Sequence, residues 1–217
     1  MDIHPQFGEI RTIKDFLIRL LLIVLGVLAA VAVTQWNEQR GRNALAEQMR
    51  SRLLGEIAVN SKTLAQVTAT YAATLAELEQ VVKACAQASP TGKPDAALVK
   101  LVQDAKVDLR TPIISATQWQ LASSNLSLRD FSIDDATVFS QIYTQQHALE
   151  SVMLQHKPGT LAAMVDASLI APDATAEQVR AGCRAAAQLR VYASSMLGNM
   201  RSLTVAYGTA PTTKTTP

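Results

Sequence analysis

Two cysteines, three histidines and one adjacent pair of carboxylates are the residues with which this chain could do chemistry, and their spacing limits what that chemistry can be. Cys85 and Cys183 belong to no CxxC or other metal-type spacing, so two outcomes stay open: a disulfide between them, or two free thiols packed as small hydrophobes. His147 and His156 are nine residues apart, off the i, i+4 spacing that sets two ligands on one helix face, and His4 sits near the amino terminus. No HExxH or Cys-rich pattern accompanies them, so solvated or capping histidines and no metal site are expected. Asp134-Asp135 is explained by its place at a helix start, where carboxylates complement the macrodipole. There is no Gly-rich phosphate loop, no GxSxG elbow and no dinucleotide fingerprint. Catalysis would need residues distant in sequence, such as His147 with Asp134 or Glu150. The expectation is no enzyme, with no catalytic, cofactor-binding or metal residues and no cofactor.

The elements that would hold these residues are helices. Of 217 residues, 48% are apolar but only 5% aromatic and 18% charged, an aliphatic, alanine-rich excess that favours helix over sheet. An all-α class follows. The formal net charge is +2, with Lys and Arg scattered among acids, which argues against nucleic acid as a partner.

From Leu20 to Val33 no side chain is polar, and Phe16 to Trp36 provides about the 20 residues a helix needs to cross a bilayer. Arg19 lies within a turn of one end, where it can reach the headgroups and pair with Asp15; Trp36 marks the other interface. A cleaved signal peptide competes with an anchor, since Arg11, Lys14 and Arg19 form a basic n-region and Ala30-Val31-Ala32 fits a cleavage site. The apolar run outlasts an h-region and no helix breaker follows it, which favours retention. Gly26 and Ala30 make a small-xxx-small pair through which two such helices could pack, giving a homo-oligomer.

Val24-Leu25-Gly26-Val27-Leu28, then Gln35-Trp36-Asn37-Glu38, then Arg40 and Arg42 resemble a family of small bacterial single-pass membrane-anchored proteins of unknown function. A looser match covers Ala116–Ser127 and Asp135–Leu149, where family members carry a short helix, a turn and an amphipathic helix with aromatics. This chain has Ser124-Asn125 where the family has a glycine. The resemblance implies an uncleaved anchor and supplies no activity.

Beyond the anchor, Leu53, Ile57, Asn60, Leu64, Val67, Tyr71, Thr74, Leu78, Val81 and Cys85 alternate in spacings of four and three, an a/d seam with two polar members. Later helices can cover it, so a bundle core is expected rather than a coiled-coil dimer. Ser89 to Pro94 reads as a loop; Asp95 suits an N-cap for a short helix over Ala97 to Ala105. Thr111-Pro112 restarts the chain, and a short helix from Ser115 to Ser123 would bury Trp119 and Leu121. Ser132 to Asp135 and Thr175 to Gln178 read as capping boxes opening two long helices. Lys157-Pro158-Gly159 ends the first, Leu161 to Leu169 forms a further short helix, and the second runs to Tyr207. The domains expected are a tail over 1–15, a transmembrane helix over 16–36, a helical bundle over 37–208 and a disordered tail over 209–217.

If the first and last long helices pack antiparallel, Cys85 and Cys183 come to similar height and can bond. A disulfide and an exported, periplasmic carboxyl-terminal domain support each other, since disulfides persist outside the cytosol. Arg40, Arg42, Arg50 and Arg52 interleave with Glu38, Glu47 and Glu56, the pattern of a salt-bridged solvated face. The expected function is a non-enzymatic interaction or scaffold module at the bacterial inner membrane, whose partners are the lipid bilayer and an envelope protein. The alternative is a periplasmic bundle that senses a small ligand and signals through a partner protein.

Overall fold

The computed structural model describes residues 13–88, 95–124, 127–167 and 173–211, without the side chains of 15, 127 and 156–167. The described residues form helices α1 (Ile13–Gln87), α2 (Ala96–Asp104), α3 (Thr117–Ser124), α4 (Ile133–Ala167) and α5 (Ala176–Gly208), with a 3-10 turn at Ser127–Asp130. Two compact units divide the chain, Met1–Gln48 and Met49–Pro217.

In the first unit the described residues all belong to α1. Its apolar stretch is long and apolar enough to cross a membrane, with a mean hydropathy of 2.9 over an 18-residue window and none of that window buried. Leu20 to Val33 present every side chain to the outside. Gly26 and Ala30 are exposed, and a Cβ at Gly26 would meet nothing within 4 Å. Trp36 is exposed, and the Arg40 guanidinium lies 4.2 Å from the centre of its ring, a cation–π contact one turn along the helix. Arg42 pairs with Glu38 at 3.8 Å.

In the second unit the 4-3 seam of α1 is the bundle core. Leu53, Leu64, Tyr71 and Leu78 are sealed against Phe139, Ile142 and Leu149 of α4 and Leu189, Met196, Met200 and Leu203 of α5. Ile57 and Val81 are also buried, and Val67 and Cys85 half-buried. Asp135 pairs with Arg50, Tyr143 bonds to Glu56 and Gln146 to Asn60, so α4 runs parallel to α1. Cys183 meets Cys85 while Tyr207, two dozen residues on, bonds to Gln146 beside Asn60, so α5 runs back against both.

The polar seam members have a specific use. Residues 105–116 carry no helix or strand and run down α1 as an extended strap, whose backbone groups cannot satisfy one another. Thr74 Oγ1 donates to the Asp108 carbonyl at 3.0 Å and accepts from the Asp108 N–H at 3.1 Å. Two heptads earlier, Asn60 Nδ2 donates to the Ser115 carbonyl at 2.7 Å and its Oδ1 accepts from the Ser115 N–H at 2.9 Å. Two heptads of helix rise about 21 Å, and the seven residues from Asp108 to Ser115 span about 23 Å when extended. The pitches match, so each strap residue passes about two helix residues. Pro112 is buried within the strap rather than opening a helix, and its missing N–H removes a donor that would need a partner.

Local signals set most helix ends. Asp95 caps α2 by accepting from the Ala97 N–H. Ser132 Oγ accepts from Asp135 N–H at the start of α4, and Thr175 with Gln178 forms a reciprocal capping box on α5. Two expectations are corrected. Lys157-Pro158-Gly159 does not end α4, which runs on to Ala167, so the separate helix expected from Leu161 is the last part of α4. Pro158 costs one backbone donor, but Leu161 to Met164 are strong helix formers and carry the helix past it.

Candidate functional site

A cleft in the second unit is formed by residues of α3 and α4, and Glu56 of α1 holds the elements behind it. Helix α3 starts at Thr117, which leaves Ala116 at the cap position, with no side chain able to cap. Glu56 takes that role from a distance: its Oε2 accepts from the Gln118 N–H at 3.0 Å and from Ser115 Oγ at 2.8 Å. Its Oε1 accepts from the Tyr143 hydroxyl at 2.7 Å. One carboxylate therefore fixes the strap's end, the start of α3 and the middle of α4, where its charge also complements the α3 dipole. The sequence reading assigned Glu56 to a salt-bridged solvated face; instead it turns inward, because three donors converge on it.

With α3 so held, Trp119 stacks on Tyr143, the ring centres 5.1 Å apart and the planes within 9°. Trp119 is half-buried. Leu121, expected inside, is 37% exposed, and the neighbouring Ala122 is the fully buried residue of α3 instead.

Ala116, Trp119, Gln120, Tyr143, Thr144, Gln146, His147 and Glu150 line a cleft of about 310 Å³. Behind it Gln146, 1% exposed, joins the elements: Nε2 donates to the Ser115 carbonyl at 3.1 Å, and Oε1 accepts from Tyr207 at 3.0 Å. Its Nε2 also lies 3.4 Å from Glu150 Oε1, and His147 Nδ1 lies 3.6 Å from Glu150 Oε2. His147 is otherwise open to solvent. Neither Glu56 nor Glu150 pairs with a Lys or Arg among the described residues. The tyrosines register the burial and the charge. The Tyr143 phenol is pushed well above the usual range, first by burial and then by Glu56. Tyr207 is pushed up by burial and by Glu56 and Glu150, against the opposing Asn60 carboxamide.

The residues singled out in the sequence fall as follows. Cys85 and Cys183 are joined by a disulfide with Cα atoms 5.7 Å apart, at a small second cluster with Leu98, Ala174 and Val179. Asp135 pairs with the buried Arg50 at 3.2 Å, so it does more than complement the α4 dipole. His147 meets Glu150 and not Asp134 among its ion pairs; His4 and the His156 side chain lie outside the described residues. Arg19, Trp36, Gly26 and Ala30 all stand exposed on α1, and no group of three metal-ligating side chains occurs among the described residues. Sequence reasoning missed Glu56, Gln146 and Trp119 as partners. The available signal was Asn60, a polar residue in an otherwise apolar seam, which had to be met by another buried polar group. Comparison with protein-family models, with curated proteins and with solved structures finds no match to this chain.

Proposed function

We propose that this chain is a single-pass, membrane-anchored helical bundle that acts as a non-enzymatic interaction or scaffold module at the bacterial cell envelope, with its bundle on the periplasmic side. The observations that carry this reading are the apolar stretch near the amino terminus of α1 and the sparsely charged face that α1 exposes between Gly55 and Ala76. Its apolar stretch near the amino terminus offers nothing but hydrocarbon outward. In the second unit, the residues α1 exposes between Gly55 and Ala76 are Gly55, Ala58, Val59, Lys62, Ala65, Gln66, Ala69, Ala72, Ala73 and Ala76. A solvated helix face ordinarily carries several charges, and here Lys62 is the single one. Small side chains let a second helix approach closely, so the partner that fits is a helical segment of another envelope protein. The disulfide supports an oxidising compartment.

The test is photo-crosslinking in intact cells, with a benzophenone side chain placed at Ala65, Ala69 or Ala72 of the full chain. A discrete adduct in the membrane fraction is expected from these positions and not from Arg184 on the exposed side of α5. No adduct from any of the three, with the chain folded and present, rejects the reading. The cleft favours one second reading, a small-ligand-sensing bundle that signals through a partner.

A further inference from the structure

We infer that the cleft between α3 and α4 takes a small organic cation, an alkylammonium or guanidinium group held on the Glu150 carboxylate beside the Trp119–Tyr143 stack. This rests on the ligand-binding reading of the cleft. At about 310 Å³ the space is at the small end of ligand sites, enough for a short chain and not for a nucleotide or a peptide. Its walls supply two things a cation needs. Trp119 and Tyr143 give an aromatic surface with negative π-density, and both line the space. Glu150 gives a carboxylate that lines it too, partly exposed and paired with no Lys or Arg among the described residues.

The arrangement also disfavours other ligands. Glu56, committed to Tyr143, Ser115 and Gln118, adds a second negative charge beneath the aromatic wall, so an anion would face two carboxylates. Two of the donors that line the cleft are already engaged: the Gln146 amide donates to Ser115 and Glu150, and the Tyr143 hydroxyl to Glu56. His147 is the one basic side chain in the lining, set 3.6 Å from Glu150 at the open edge, where an incoming cation can displace it into water.

The experiment uses the full chain in detergent with Trp36→Phe, so that Trp119 is the only tryptophan left. Its emission is followed during titration with butylamine, putrescine, 1,4-butanediol and succinate, four-carbon chains that differ in the charge of their ends. Both amines are expected to give a saturable change at least tenfold tighter than the diol or the diacid. Glu150→Gln should weaken the amines about tenfold or more, the usual worth of a hydrogen bond to a charged group, while Glu79→Gln on the outer face of α1 should not. Diol binding as tight as the amines, or tighter binding of succinate, overturns the cation inference and leaves a ligand-binding cleft. Saturation by none of the four overturns both. If Glu150→Gln fails to fold, the charge series on the unaltered cleft still decides.

Discussion

Asn60 is a single polar side chain whose removal should cost more than its size suggests. Its carboxamide satisfies both backbone groups of Ser115 inside the unit, and at 2% exposed no water can replace it. Asn60→Leu keeps the volume but leaves the Ser115 N–H without its acceptor and the Ser115 carbonyl on Gln146 Nε2 alone, so a loss of about 1–3 kcal/mol is expected from urea unfolding. Asn60→Asp keeps the acceptor for Ser115 N–H but buries a charge whose second oxygen opposes the Ser115 carbonyl and Gln146 Oε1, so at neutral pH it should cost no less than the leucine. Three core tyrosines set a second expectation. Tyr71, Tyr143 and Tyr207 are each raised above the ordinary phenol value of 10.0, with burial the first cause in all three. A raised phenol holds its proton in the folded chain after the unfolded chain has lost it. The stability it contributes is complete below pH 10 and falls as pH climbs from there toward the folded value. Stability followed across pH 9 to 12 should drop with a slope set by up to three protons, about 1.4 kcal/mol per pH unit for each. Tyr143→Phe should reduce that slope by one proton; an unchanged slope would show that Tyr143 ionises freely. Asp108 works oppositely: Arg110 holds its carboxyl below the usual range, so that contribution is present at neutral pH and lost only as acid protonates it.

At the scale of elements, legibility followed locality. The seam of α1 was readable because Leu53 to Cys85 repeat with one helical period, and the Asp95, Ser132 and Thr175 caps because each acts within three residues of itself. The Thr175 box should be worth about 1 kcal/mol, so Thr175→Ala should lower the melting temperature by a few degrees and raise hydrogen exchange in the first turn of α5. What sequence could not show was non-local. Ser115 Oγ caps only the Thr117 N–H at the start of α3, and the acceptor for the Gln118 N–H is Glu56, about sixty residues away in the chain. Pro158 looks like a stop because one residue's chemistry is visible and the cooperativity of a long helix is not. Glu56→Gln keeps one acceptor oxygen, enough for Gln118 and Ser115 while its NH2 donates to a Tyr143 hydroxyl turned to accept, but removes the charge from the α3 dipole; Glu56→Ala removes the charge and every one of these bonds. Near-ultraviolet dichroism should therefore lose the Trp119–Tyr143 signal in Glu56→Ala and keep much of it in Glu56→Gln.

At the scale of the whole molecule, the bundle has two centres of burial of unequal size. The larger runs along α1, α4 and α5; the smaller gathers Leu98, Ala174 and Val179 around the disulfide. Closing a loop with a sequence separation of 98 limits the unfolded chain by about 4–5 kcal/mol in the chain-entropy model, with measured values often lower. The paired change Cys85→Ser and Cys183→Ser should lower the melting temperature and increase exchange first in α2 and the opening of α5, while Leu64 and Met196 stay protected. Simultaneous loss of protection in both clusters would show that the small one is no separate cooperative region. The same bond offers a test of the proposed location: in intact cells both thiols should resist alkylation until a reductant is added. Reaction without reductant, and only after the inner membrane is permeabilised, would place the bundle in the cytosol.

The strap over residues 105–116 makes chain length itself a measured quantity. Because one extended residue passes about two helical ones, deleting a single residue between Asp108 and Ser115 would draw Ser115 about 3 Å short, midway between the side chains that face it. The strap could satisfy Thr74 or Asn60 but not both. Surface segments usually accept insertions freely, whereas this one behaves as a ruler with marks at Asp108 and Ser115. Related chains should then vary in the composition of this segment far more than in its number of residues.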